Sequence, residues 1–368
     1  MSDLASRIRA EIEASGPMRL DRFWNLCLFD PTDGYYTSRD PIGASGDFTT
    51  APEISQMFGE LLAAWAFAAW DGLGRPPAFT FAEAGPGRGT LIADMLRTLR
   101  QLDPAFLKAA RIRLVEVSDR LAGIQAERLA RFDLPVRRVR QIEELDGDGP
   151  LLLVANELLD ALAIRQFVFR GGAWHERLVD AAAGGFAFAD GPATTLVPAA
   201  LARLPQPAEG AVFEVSPERD ALCAALARRL AQEGGAALLI DYGHARTGFG
   251  DTLQALRRHE TAGALDAPGT ADITSHVDFE QVARAMAGAA PTLRFGLAAH
   301  GDFLLSLGLP ERAGRLGAHA DEAGRAAITA AVHRLAGRAQ GEMGTLFKVF
   351  GAASAPLPLP PFVQPRVD

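Results

Sequence analysis

Glu83-Ala84-Gly85-Pro86-Gly87-Arg88-Gly89-Thr90, entered from the apolar run Phe79-Thr80-Phe81-Ala82, is the stretch on which the reading of this chain turns. It has the form of a strand that passes through a glycine turn into a helix, here predicted over Thr90 to Leu102. Glycine at three alternate positions lets backbone pass close to a ligand with no side chain between them. The helix that follows offers its partly positive N-terminus to an anionic end group. The spacing is G-x-G-x-G and not the G-x-G-x-x-G of a dinucleotide fingerprint. The next apolar run, Ile112-Arg113-Leu114-Val115, ends in Glu116, farther along than that fingerprint places its acid. The pattern therefore favours S-adenosylmethionine over NAD. A sulfonium cofactor needs no pyrophosphate cradle, but it does need an acceptor for its ribose hydroxyls, and Glu116 is assigned that role.

Bulk properties narrow the alternatives. At 368 residues the chain exceeds the size at which one core usually stops growing, so two lobes are expected. Hydrophobic residues make up 48% and charged ones 22%, the composition of a globular protein with a large core. A formal charge of −8 argues against nonspecific attraction to nucleic-acid phosphates. Cys27 and Cys223 lie far apart with no metal-type spacing, so they read as buried thiols in a reducing compartment, with no metal site. No apolar run reaches the length of a membrane span and the first residues hold no signal-peptide core, from which a cytoplasmic location is expected.

Along the chain, Leu4, Ile8 and Ile12 fall on one helical face that ends at Gly16-Pro17, and a second helix is predicted from Leu20 to Phe29. A turn-rich passage, Asp30 to Asp47, precedes Thr50-Ala51-Pro52-Glu53, which reads as a capping box opening a helix with the apolar stripe Ile54, Phe58, Leu61, Leu62 and Trp65. From Phe79 the pattern changes to short apolar strands alternating with helices: Phe79–Ala82, Ile112–Val117, Leu151–Ala155 and Ala236–Ile240. That rhythm implies a parallel sheet covered on both faces. Arg165 to Ala189 breaks it and reads as an inserted antiparallel meander turning at Gly171-Gly172 and Gly184-Gly185. A helix from Ser216 to Gln232 and an irregular loop from Gly243 to Thr274 follow. Two antiparallel strands are predicted near Leu293–Leu297 and Leu346–Phe350, and a proline-rich extended tail after them. The expected organisation is a helical region over 1–75, a cofactor-binding core over 76–160 and 210–355, the meander over 161–209 and the tail over 356–368.

In open sheets of this kind ligands sit at the carboxyl ends of the strands, and four such ends carry acids: Glu83, Glu116, Asn156-Glu157 and Asp241. Carboxylates gathered on one rim repel unless cations sit among them, which points to cationic ligands. Glu157 and Asp160 are three apart and, if helical, share a face able to grip one guanidinium in bidentate fashion. They are the catalytic candidates, with Asn156 placed among the cofactor contacts. Asp47 and Phe48, in Gly46-Asp47-Phe48-Thr49-Thr50, are candidates for a lid that meets the substrate cation, and Asp241, Tyr242 and His276 complete the substrate-binding set. Asp278 with Gln281, beside His276, also reads as an ordinary capping pair. No Ser-His-Asp or Cys-His set supports a hydrolase. The aromatics Phe167, Phe169 and Trp174 fit a substrate surface and a face pairing two subunits as a homodimer equally well.

Several blocks, in order, resemble the MidA-like class I methyltransferases, a family that includes a mitochondrial complex I assembly factor acting as a protein arginine methyltransferase. They are Asp30-Pro31-Thr32-Asp33-Gly34-Tyr35-Tyr36, Gly46 to Ser55, Glu83 to Thr90, Asn156-Glu157-Leu158-Leu159-Asp160-Ala161-Leu162, Ile240-Asp241-Tyr242-Gly243, Ser275 to Phe279 and Gly344 to Val349. The resemblance implies a Rossmann-like, seven-stranded α/β sheet with S-adenosylmethionine held at Glu83, Gly85, Gly87, Gly89 and Glu116. It also implies a protein-arginine substrate, suggested for the family to be a subunit of respiratory complex I. Ala84 and Ala163 depart from the leucine and proline expected there, and neither change removes a polar group.

Overall fold

The computed structural model describes residues 3–38, 50–145, 147, 149–194, 201, 203–257 and 259–363. The chain forms two compact units, one of residues 49–158, 222–245 and 282–368, the other of residues 1–48, 159–221 and 246–281.

The first unit is built on a sheet whose strands we number β1 (Phe79–Ala84), β2 (Ala110–Val115), β3 (Val136–Val139), β4 (Leu151–Asn156), β5 (Gly235–His244), β6 (Arg294–Ala299) and β7 (Phe347–Ala353). They lie in the order 3-2-1-4-5-7-6. Strand β7 runs antiparallel to both its neighbours, while the pairs β1–β2, β2–β3, β1–β4 and β4–β5 are parallel. Every residue of β1 and β4 is buried, which explains why both read as uninterrupted apolar runs and not as alternating ones. The connectivity reverses direction between β1 and β4. That is the switch point at which an open α/β sheet leaves a crevice beyond its carboxyl edge.

Packing fixes β1 firmly. Phe106 meets the rings of Phe79, Phe81 and Trp70 edge-on at 4.9, 5.4 and 5.5 Å between centroids, an arrangement favoured by the ring quadrupoles. The helix Gln56–Gly72 contributes Phe58, Leu62 and Trp65, all fully buried, each adding roughly 1.5–3 kcal/mol by removal from water. The expected stripe is thus core. The expected capping box is not formed: Thr50 makes no side-chain cap, a short helix Ala51–Ile54 stops at extended Ser55, and the Ser55 hydroxyl caps the longer helix by accepting from the Met57 amide at 3.2 Å. The carboxylate of Glu53 instead takes the hydroxyl of Thr90 at 2.5 Å.

The second unit holds the helices Leu4–Ser15 and Leu20–Phe29, the first burying Leu4, Ile8 and Ile12 as its periodicity requires. The meander is real. Strands Arg165–Arg170, Ala173–Ala182 and Gly185–Thr194 run antiparallel, and Gly171 and Gly172 both take positive φ, +58° and +80°, as a two-residue hairpin turn matched to strand twist demands. Strand Val212–Val215 pairs with Arg165–Arg170 on the other side, and Met18–Arg19 pairs with Val179 and Leu178.

Several boundaries differ from the sequence expectation. Residues 49–75 belong to the sheet unit, whereas 210–221 and 246–281 cluster with the meander, whose sheet Val212–Val215 completes. The segment expected as a loop over 243–274 begins inside β5 and contains the strands Gln254–Arg257, Glu260–Ala262 and Asp272–Thr274, paired antiparallel. The expected extended tail packs as far as it is described: Leu357 and Leu359 are buried, and the Trp65 indole donates to the Pro360 carbonyl at 2.8 Å. Phe169 meets Trp174 edge-on, Trp174 lies tilted against Phe249, and Phe167 is buried, so these aromatics pack within their own unit.

Candidate functional site

The glycine turn leaves β1 at the switch point, and its backbone explains its composition. Gly85, Gly87 and Gly89 have φ of +67°, +51° and +73°, left-handed values that side chains resist. A Cβ at Gly85 would also come within 2.9 Å of Leu158 Cδ1, which would have to shift, so dihedral freedom is the main demand for glycine here. Gly89 is the N-cap of Thr90–Leu102, which leaves that helix with amides facing the turn.

Glu83 closes β1 with only 3% of its surface exposed. Burial pushes its carboxyl up to about 8, opposed by a hydrogen bond from the Ile92 amide and reinforced by the charge of Glu116. Its Oε2 has no hydrogen-bond partner among the described residues. Glu116 follows β2, is buried, and is pushed upward mainly by that burial. Hydrogen bonds hold its charged form: Oε1 accepts from the Ser118 amide at 2.7 Å and Oε2 from Gln125 Nε2 at 3.0 Å. Asn156 ends β4, and its Nδ2 donates to Glu157 Oε1 at 3.0 Å, while its Oδ1 is buried without a partner among the described residues. The same Glu157 oxygen accepts from the Ala51 amide at 3.2 Å. Glu157 has φ +52°, a left-handed conformation that a non-glycine residue holds only under restraint. Its amide donates to the Ile240 carbonyl at 2.8 Å. Residues 157–164 form no helix, so the helical spacing expected for Glu157 and Asp160 is not adopted.

At the end of β5, Asp241 is fully buried and its Oδ1 accepts from the Tyr242 amide at 2.9 Å. The Tyr242 ring lies 5.4 Å from that of Phe347. Glu83, the three glycines, Glu116, Asn156, Glu157, Asp241 and Tyr242 thus stand on one unit, at the carboxyl ends of strands β1, β2, β4 and β5. Asp160 and His276 belong to the other. The Asp160 carbonyl accepts from the Ser275 amide at 3.2 Å and from Arg219 at 3.3 Å, and the His276 amide donates to Thr252 Oγ1 at 3.0 Å. Asp278 does cap its helix, accepting from the amides of Glu280 and Gln281. Asp47 and Phe48 lie outside the described residues.

Gln125 was not anticipated from the sequence. It sits midway along the helix Asp119–Leu129, and only its spacing from the Ser118 cap marks it. Its Nε2 donates to the Gly87 carbonyl at 2.7 Å as well as to Glu116.

The family described as "putative S-adenosyl-L-methionine-dependent methyltransferase" matches residues 61–296. The chain belongs to that family. It is 36% identical over 331 residues to the "Protein arginine methyltransferase NDUFAF7, mitochondrial" of Mus musculus, covering 82% of this chain and 73% of the relative. It is 33% identical to the Homo sapiens protein of that name, covering 82% and 72%. A solved structure from Burkholderia thailandensis, described as a "likely methyl transferase" bound to S-adenosyl-homocysteine, superposes with a TM-score of 0.80 at 29% identity, over 95% of this chain and 91% of that one. The protein is an S-adenosylmethionine-dependent methyltransferase on an α/β methyltransferase fold. The expectation of a cytoplasmic location is corrected by these relatives, which carry a mitochondrial designation in their names.

The residues present fit that cofactor. Two buried acceptors around the glycine turn, Glu83 Oε2 and Asn156 Oδ1, have no donor among the described residues, and a ligand carrying an ammonium, a sulfonium and ribose hydroxyls brings donors and positive charge to them. When bound, the cofactor supplies an electrophilic methyl group.

Proposed function

We propose that this chain methylates an arginine side chain of a partner protein, with Glu83, Gly85, Gly87, Gly89, Glu116 and Asn156 holding the cofactor and Glu157 holding the acceptor. The observation that carries the reading is Glu157: a carboxylate at the switch point, fixed by Asn156 and the Ala51 amide and kept in a left-handed backbone conformation. Strain of this kind, of order 1–3 kcal/mol, persists where the surroundings over-determine a residue, and it concentrates at working sites. A guanidinium stays protonated to about pH 12, so what Glu157 contributes is position: bidentate hydrogen bonds that hold one nitrogen in line with the methyl group, the nitrogen giving up one proton to water on transfer and the cofactor leaving as S-adenosylhomocysteine. Holding donor and acceptor in a near-attack arrangement is worth roughly 7–11 kcal/mol. Asp241 and Tyr242, on the same edge of the same sheet, are proposed to complete the acceptor surface. The names of the relatives support arginine as the acceptor, and the family resemblance extends this to a subunit of respiratory complex I.

The test is incorporation of labelled methyl groups from S-adenosylmethionine into protein from a cell extract, with arginine analysed after hydrolysis. Label entering metabolites alone excludes a protein acceptor and leaves a small-molecule methyltransferase. Replacing Glu157 by alanine is expected to abolish transfer while cofactor still binds. A variant that keeps supporting assembly after losing transfer would instead mark a non-catalytic assembly factor.

A further inference from the structure

We propose that Gln125 is the positioning residue of the nucleoside half of this site, tying the glycine turn to the Glu116 carboxylate, with Arg138 clamping the same loop from its outer side. The inference rests on the reading of Glu116 as the acceptor of the ribose hydroxyls.

Gln125 is 1% exposed, and its Nε2 donates simultaneously to the Gly87 carbonyl at 2.7 Å and to Glu116 Oε2 at 3.0 Å. Both partners are pure acceptors, so the amide orientation is dictated: the flipped carboxamide would set its oxygen against two other oxygens. Gly87 and Glu116 come from separate βα turns, and this one side chain bridges them directly. The helix carrying Gln125 is itself indexed to Glu116. The Ser118 amide donates to Glu116 Oε1 at 2.7 Å, and the Ser118 hydroxyl caps the helix by accepting from the Leu121 amide at 3.3 Å. On the solvent side, Arg138 Nε donates to the Glu116 carbonyl at 2.7 Å and Arg138 Nη2 to the Val117 carbonyl at 2.9 Å. Arg140 Nη1 reaches the same Val117 carbonyl at 2.9 Å. Asp119 sits between both guanidiniums and keeps them in place. The carboxylate is thereby held from inside by a neutral amide and its main chain from outside by cations. A glutamate has three side-chain torsions, and one that must meet a ribose diol in a single geometry gains from having them fixed beforehand.

The experiment compares Gln125→Met, Glu116→Gln and the double variant for affinity to S-adenosylhomocysteine by calorimetry, and for kcat at saturating cofactor. Methionine keeps the length and volume of glutamine and removes both hydrogen bonds. Expected is a Kd for Gln125→Met weakened about tenfold or more, with kcat at saturating cofactor within about twofold of the parent. The double variant should lose less than the product of the two single losses, because each acts through the same carboxylate. A Gln125→Met affinity equal to the parent, with Glu116→Gln weakened, overturns the positioning role alone, as does full multiplicativity in the double variant. Glu116→Gln binding like the parent overturns the ribose reading and the inference with it. Should Gln125→Met fail to fold, the surface variant Arg138→Met carries the test. A Kd weakened severalfold supports the clamp, and an unchanged Kd overturns it.

Discussion

Glu83 is a buried acid whose surroundings disfavour its charged form. Burial is the leading cause that pushes its carboxyl up to about 8, from an ordinary value of 4.5. A group raised in the folded state favours folding most below its unfolded value, and that contribution is lost as pH rises through 5 to 8. The cofactor-free protein should therefore lose melting temperature over this window, and Glu83→Gln, neutral throughout, should lose less. Thermal melts of both proteins at pH 5, 6.5 and 8 decide it, and parallel curves would show that Glu83 is charged in the free protein. A cation binding beside Glu83 should expel its proton, so binding heats at pH 7 are expected to vary with the ionisation enthalpy of the buffer. Glu157 makes a different prediction. Its left-handed backbone, at φ +52°, is disfavoured for side chains by roughly 1–2 kcal/mol. Glu157→Gly should accordingly be more stable than Glu157→Ala by about that amount in denaturant melts, while both lose methyl transfer. Neither property was legible in the sequence. An acid after a strand announces a site, but its protonation and its dihedral angles follow from what tertiary packing puts around it.

At the level of elements, the sequence exposed what repeats and hid what depends on a partner. Strands β1 and β4 announced themselves as apolar runs because both faces are covered, and Leu4, Ile8 and Ile12 marked their helix by period alone. Strand β3 escaped notice because Val136-Arg137-Arg138-Val139 is short and half arginine. It exists through its parallel register with β2, from Ile112 opposite Val136 to Val115 opposite Val139. Val212–Val215 escaped for a similar reason, its place being set by Arg165–Arg170 far back in the chain. The break at Ser55 shows local chemistry being redirected. The Thr50 and Glu53 spacing satisfies a capping box, yet the Glu53 carboxylate meets Thr90 Oγ1 and leaves capping to Ser55. If Ser55 is the true cap, Ser55→Ala should cost about 1 kcal/mol in urea melts. Thr50→Ala should cost only a few tenths, and the reverse ranking would restore the capping box.

For the whole molecule, the order 3-2-1-4-5-7-6 brings acids scattered between positions 83 and 241 to one edge of one sheet, while the chain as a whole carries a formal charge of −8. Those acids could be gathered from sequence because in open α/β sheets the carboxyl ends of the strands are the ligand-binding edge, whatever the strand order. The placing of Asp160 and His276 on a different unit from Glu157 could not, since that division follows from contacts made by the meander and by Val212–Val215. An acidic rim on an acidic molecule has a measurable consequence for a cationic acceptor. Its field should raise the local concentration of arginine-bearing peptide and speed encounter, and salt should weaken both, because the screening length falls from about 10 Å at 0.1 M to about 3 Å at 1 M. The KM for such a peptide is expected to rise severalfold between low and high ionic strength. The affinity for S-adenosylmethionine should change less, because Glu83 and Glu116 are buried and screened only weakly. Steady-state kinetics across a salt series, with cofactor affinity measured in the same buffers, separates the two. A peptide KM indifferent to salt would remove the electrostatic argument for a cationic acceptor and leave the glycine turn to support cofactor binding alone.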